Sequence, residues 1–130
     1  MTTPPGFATV TPYFFADEAD AFMRFLIGGL GGEEVGITYR PDGAIANGQV
    51  RIGSATVMVS EASASFPAMP ASYYLYVDDA DAAMARAIGA GAVSIMDVAD
   101  MPYQDRQGGV RDPHGNIWWI SQRLVAGGYD

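Results

Sequence analysis

Ala16-Asp17-Glu18-Ala19-Asp20-Ala21-Phe22-Met23 returns about sixty residues later as Val77-Asp78-Asp79-Ala80-Asp81-Ala82-Ala83-Met84, and Ile27-Gly28 returns as Ile88-Gly89. Each copy follows an aromatic, strand-like run, Tyr13-Phe14-Phe15 in the first and Tyr73-Tyr74-Leu75-Tyr76 in the second. A repeat spaced at nearly half the chain length means one supersecondary unit used twice, and two copies are too few for a solenoid. The expectation is a single domain over residues 1–130, built from two similar halves, with any ligand site where the halves face each other.

The rest of the pattern follows outward from the repeat. Residues 8–15 read as a strand rich in Thr, Val and aromatics. Asp17 is placed to cap a helix over 18–28, with Gly28-Gly29 as its stop. Ala21, Phe22, Phe25 and Leu26 recur at helical spacing and give that helix one apolar stripe. Strands are predicted over 34–39, 45–51 and 55–60, turned by Pro41-Asp42-Gly43 and by Gly53-Ser54. Residues 61–70 are a connector. The second half repeats the order with a strand over 72–77, a helix capped by Asp78 or Asp79 and running to about 88, and strands over 93–97, 105–111 and 116–122. Asp112-Pro113-His114-Gly115 makes the last turn, and Ala126-Gly127-Gly128 reads as a frayed end. Module one thus spans about 8–60 and module two about 71–124.

Composition excludes several classes of function. Cysteine is absent, which removes disulfides, thiolate metal sites and a cysteine nucleophile. All seven basic side chains apart from His114 are arginine, so a lysine Schiff base is excluded too. Seven arginines against fifteen carboxylates, a net charge of -8, make no basic face for nucleic acid. No apolar run approaches the roughly 20 residues that span a bilayer, and the N-terminus has no signal-peptide pattern. A cytoplasmic protein with neither a nucleic-acid nor a membrane partner is expected.

Paired strand-helix-three-strand modules, each helix opened by Asp-Asp/Glu-Ala-Asp-Ala, resemble the vicinal oxygen chelate superfamily of glyoxalases, extradiol dioxygenases and bleomycin-resistance proteins. The similarity is closest to a PhnB-like, glyoxalase-like branch. It is carried by Thr11-Pro12-Tyr13-Phe14-Phe15, by Tyr74-Leu75-Tyr76-Val77-Asp78-Asp79, and above all by Met101-Pro102-Tyr103-Gln104-Asp105-Arg106-Gln107-Gly108-Gly109-Val110-Arg111-Asp112-Pro113 running on through Gly115-Asn116-Ile117-Trp118-Trp119. What the resemblance implies is an α+β fold: two βαβββ modules forming curled sheets around a cup, helices on the outside. It also implies a homodimer.

Metal-dependent members of that superfamily carry ligands on the first, fourth, fifth and eighth strands. Carried over, those positions fall near Thr11, Met58, Ser72 and Trp119. Hydroxyls are weak neutral donors, a thioether is soft, and an indole offers no free lone pair. No metal and no cofactor are therefore expected. Glu61, Asp97 and Asp105 are the carboxylates left for a site made of acids alone, with Glu61 the best placed. His114 is either a ligand or a residue of the Asp-Pro-His-Gly turn, and the turn is the stronger reading.

Strand alternation sends residues i and i+2 to one side. With Ser72 inward, Tyr74 and Tyr76 follow; the same parity turns Thr11, Tyr13 and Phe15, then Thr56, Met58 and Ser60, then Ile117, Trp119 and Ser121 to the cup. Trp118 and Ile120 face the helices. The candidate ligand-binding set is Thr11, Tyr13, Met58, Ser72, Tyr74, Tyr76, Trp119 and Arg106, the last as a partner for a ligand anion or, with Asp105, as a loop anchor. Arg51 is a further cation near the mouth. An aromatic, hydroxyl-bearing lining suits a small organic molecule, cationic or aromatic, although rings that merely fill the cup explain the same pattern. The leading expectation is a metal-free protein that binds such a molecule, as bleomycin-resistance proteins do. The alternatives are a metal-dependent lyase or dioxygenase with an unconventional site, and a structural dimer with no ligand.

Overall fold

A computed structural model describes residues 2–130. The chain forms two compact units, one ending at Met69 and the other running from Pro70 to Asp130. The first contains β1 (Tyr13–Ala16), α1 (Ala19–Gly28), β2 (Glu33–Tyr39), β3 (Ile45–Ile52) and β4 (Ala55–Glu61). The second contains β5 (Ser72–Tyr76), α2 (Ala80–Gly89), β6 (Val93–Asp100), β7 (Asp105–Arg111) and β8 (Ile117–Arg123). Each unit is a βαβββ module with one mixed four-stranded sheet, ordered β1-β4-β3-β2 or β5-β8-β7-β6. β1 pairs parallel with β4, and β5 pairs parallel with β8, while the remaining ladders are antiparallel. The expected α+β class and module order hold. The first strand is shorter than expected, because the chain before Tyr13 turns back on itself and the Thr11 hydroxyl donates to the carbonyl of Ala8 at 3.0 Å.

In each unit the helix covers one sheet face. α1 buries Ala19, Phe22, Met23, Phe25 and Leu26 against Phe14, Val50, Val57 and Val59, with the Phe14 and Phe22 rings 4.9 Å apart. α2 brings smaller side chains, Ala80, Met84 and Ala87. There the sheet supplies the bulk through buried Trp118 and Ile120, and Tyr73 stacks on Trp118 at 4.9 Å. Large residues have moved from helix to strand while the layer stays filled, as close-packed interiors require.

The same knob recurs in both modules. A Cβ on Gly48 in β3 would lie 2.3 Å from Sδ of Met23, and one on Gly108 in β7 would lie 2.8 Å from Sδ of Met84. The repeated methionine of each helix thus sits in a notch that only glycine leaves open. A larger residue at either position would have to displace the end of that methionine.

Helix capping departs from expectation in the first unit and follows it in the second. Asp17 does not cap α1; Glu18 occupies the cap position with left-handed backbone angles, φ 56° and ψ 57°, and makes no side-chain cap bond. The amides of Glu18 and Ala19 instead donate to Oε2 and Oε1 of Glu61, at 3.0 and 2.9 Å, from the end of β4. In the second unit Asp79, not Asp78, caps α2 by accepting from the amide of Ala82 at 3.1 Å. Gln122 at the end of β8 accepts from the amide of Ala80 at 3.0 Å. Glu61 and Gln122 occupy equivalent places in the repeat, so each module's last strand closes the start of its own helix. Local sequence could not reveal this, since the capping group comes from about forty residues away.

Two predictions follow from this packing. Gly48→Ala should cost about 1–3 kcal/mol by overpacking against Met23, and combining it with Met23→Ala should cost less than the sum of the two single changes; urea denaturation of the four proteins measures both. Glu61→Ala should lower stability by about 1–2 kcal/mol, with Glu61→Gln losing less because an amide oxygen still accepts; thermal and urea unfolding check the order.

Candidate functional site

Parity does what the sequence implies on the face of each sheet away from its helix. In the first unit that face carries Tyr13 opposite Met58 and Phe15 opposite Ser60. Much of it is covered by the unit's own chain. Phe66 from the connector stacks on Phe15 at 5.4 Å, the Thr56 hydroxyl donates to the carbonyl of Gly6, and Tyr13 and Ser60 share a hydrogen bond. Thr11 lies before the strand and takes no part in the ladder.

The second unit's face is richer. Tyr74 pairs with Trp119 and Tyr76 with Ser121 across the parallel ladder. Trp119 lies flat over Gly109, where a Cβ would come within 2.7 Å of its ring, and its Nε1 donates to Oγ of Ser72 at 2.9 Å. Tyr74 and Tyr76 tilt against each other at 5.3 Å. Together with Tyr103 and Tyr129 they line an open hollow of about 400 Å³. Tyr129 also lines a neighbouring hollow of about 510 Å³, with Tyr76, Asp78, Gln122, Arg123 and Gly127.

At the base of the tyrosine cluster is Asp105, fully buried at the start of β7. Its Oδ2 accepts from the hydroxyls of Tyr74 and Tyr129, each at 2.6 Å, and its Oδ1 from Arg123 Nη1 at 3.0 Å. Tyr76 and Tyr129 hydroxyls lie 2.8 Å apart. Burial of Asp105 acts to raise its pKa, but the bonds from Tyr129, Tyr74 and Arg123 outweigh it and hold the carboxyl below the ordinary value of 3.8. The Tyr74 and Tyr129 hydroxyls are pushed upward, first by burial and then by the carboxylate beside them. The cluster is therefore one carboxylate that accepts from two neutral phenols and one guanidinium. A depressed carboxyl pKa means this stabilisation is in place above the ordinary carboxylate range and is lost as pH falls through the folded-state value.

Several sequence expectations need correction here. Asp105 and Arg106 do not pair with each other. Arg106 points to the helix side, where its Nε and Nη2 bind the carboxylate of Asp81 in the first turn of α2 and its Nη1 reaches Asp100 at 3.0 Å. It anchors the helix to the sheet, on the face opposite Tyr74. Ala126-Gly127-Gly128 is not frayed: Arg123 Nη2 donates to the carbonyls of Gly127 and Gly128 at 3.0 and 2.7 Å, and its guanidinium stacks 4.2 Å over the Tyr129 ring. Tyr103, Arg123 and Tyr129 were not foreseen. Only one signal was available for the last of these, a lone aromatic in an otherwise small-residue tail.

The positions that hold metal in the superfamily's catalytic members do not suit a cation in this chain. Thr11 is bonded to its own backbone, Ser72 receives the Trp119 indole, and Met58 is a thioether. Both oxygens of Glu61 hold helix amides. No cluster of three His, Cys, Asp or Glu able to hold a metal ion occurs among the described residues. His114 lies in the last turn, where its amide donates to Asp112 at 2.8 Å; the same carboxylate accepts from Asn116 and from the Trp118 indole. Among the described residues no helix is long and apolar enough to cross a membrane.

Known proteins share this architecture. An uncharacterized protein of Mycobacterium bovis, Mb0911c, is 29% identical over 124 residues, spanning 87% of this chain and 82% of its own. The crystal structure of TnmS3, an antibiotic binding protein from Streptomyces sp. CB03234, is 19% identical with a TM-score of 0.68, covering 89% of this chain and 97% of that one. The PhnB protein from Bacillus cereus is 16% identical with a TM-score of 0.69, covering 88% and 99%. At those identities the two structures speak for the fold alone. The profile of the Glyoxalase/Bleomycin resistance protein/Dioxygenase superfamily matches residues 7–120, and the chain belongs to that family.

Proposed function

We propose that this protein binds a small, flat organic molecule, aromatic or cationic, on the tyrosine-lined face of its second module, without metal chemistry. The observation that carries the reading is the Tyr74, Tyr76, Tyr103 and Tyr129 hollow with ionised Asp105 at its base. Tyr74, Tyr76, Tyr103 and Tyr129 are 40–56% exposed although they gather on one face. A clustered exposed aromatic patch marks a contact surface far more often than scattered rings do. Ring faces give stacking area and attract cations, while the buried carboxylate, paired with Arg123, is a fixed hydrogen-bond acceptor. A structural neighbour described as an antibiotic binding protein is in keeping with this chemistry.

A metal-dependent lyase or dioxygenase is the competing reading. Its ligand positions hold Thr11, Met58, Ser72 and Trp119, and no step through a metal is derived from such donors.

9-Aminoacridine, a flat cation, should quench tryptophan fluorescence in the intact protein, and Trp119→Phe should remove the response. Tyr74→Ala or Tyr76→Ala should weaken binding about tenfold, the scale of one lost stacking or cation–π contact. Mg, Mn, Ni and Zn should leave the melting temperature unchanged, since only binding to the native state raises it. Absence of both quenching and calorimetric heat over cationic and neutral aromatics, or near-stoichiometric metal in the purified protein, would overturn the reading.

A further inference from the structure

The tail of the chain occupies the site. Tyr129 contributes one wall of the hollow and places its hydroxyl 2.6 Å from Asp105 and 2.8 Å from the Tyr76 hydroxyl, under the Arg123 guanidinium. Its socket does not depend on it. Asp105 is held independently by Tyr74 and Arg123, and Arg123 is fixed further by the carbonyl of Tyr103 at 2.6 Å. Removing Tyr129 would leave Oδ2 of Asp105 with Tyr74 as its remaining hydrogen-bond donor and an acceptor position open toward the tyrosines.

The tail itself is lightly attached. Leu124, Val125 and Tyr129 are 43%, 45% and 52% exposed, and Gly127 and Gly128 are held only through carbonyls that water can also satisfy. No apolar side chain of the tail is buried, so lifting it forfeits little hydrophobic area. The first module shows the same device in a different form. There the segment after β4 swings back and sets Phe66 on Phe15, the residue equivalent in the repeat to Tyr76.

We infer that Tyr129 is a built-in competitor whose phenol stands in for the ligand's own, so that the site takes hydroxyaryl molecules, which enter by displacing the C-terminal tail. The inference rests on the binding function proposed above and names the class of ligand and its control. A phenol supplies what Tyr129 supplies: a ring for Arg123 and the neighbouring tyrosines, and an O–H for Asp105. An arene without a hydroxyl would leave that carboxylate without one of its donors, a cost that discriminates sharply in buried sites. The short tether keeps the competing phenol at an effective concentration on the order of millimolar.

Calorimetric titration with p-cresol and with toluene tests this on three proteins: the intact chain, a chain ending at Val125, and Tyr129→Ala at full length. A tail seated nine-tenths of the time lowers apparent affinity about tenfold. Both altered proteins should therefore bind p-cresol about tenfold more tightly than the intact one, and in each of the three proteins toluene, which offers no O–H to Asp105, should bind about tenfold more weakly than p-cresol. The full-length substitution guards against a truncation that fails to fold. Equal or weaker p-cresol binding in Tyr129→Ala overturns the inference, as does toluene binding as tightly as p-cresol. If 9-aminoacridine still binds in that case, the proposed function stands; if no aromatic binds any of the three proteins, both fall.

Discussion

Each module depends on a close approach between one helix and the middle of its sheet. Met23 over Gly48 and Met84 over Gly108 set that distance. A side chain in either notch would have to displace the methionine end that fills the space between helix and sheet. Once one face is sealed, strand alternation dictates the other. Tyr13, Phe15, Tyr74, Tyr76 and Trp119 are turned away from the helices because Phe14, Leu75 and Trp118 are turned toward them.

From that common scaffold the modules diverge. In the first, the connector and the N-terminal segment lie on the free face and satisfy its hydroxyls within the unit. In the second, the face carries a buried carboxylate, three phenols bonded in a chain around it, and a guanidinium. Buried charge is tolerated only when its lone pairs are met, and Asp105 meets that condition with donors from β5, β8 and the tail. The network converts an aromatic surface, which could have been mere filler, into one with a fixed point of electrostatic recognition.

Much of the architecture was legible. The Asp-Asp/Glu-Ala-Asp-Ala repeat located both helices, turn residues bounded the strands to within a few positions, and period-two alternation sorted Trp118 from Trp119 and Tyr73 from Tyr74. The misread cap of α1 and the misread partner of Asp105 share one cause, partners brought in from other strands. Asp17 looked like a cap by local rules, but Glu61 reaches the same amides from β4. Arg106 sat beside Asp105 in the chain, yet neighbours on a strand face opposite sides, so it pairs with Asp81 and Asp100 while Asp105 pairs with Arg123.

What the residues alone determined was the duplicated module, the order of its elements, the face each ring would take and the poverty of metal donors, because each of these follows from short-range periodicity or from side-chain chemistry. Only the tertiary structure decided that Asp105 is the centre of the second face and that Tyr129 returns to meet it. A pairing across 24 positions leaves no local trace; it exists because the end of β8 and the start of β7 lie side by side, with Arg123 opposite Asp105, and the segment after β8 turns back over them.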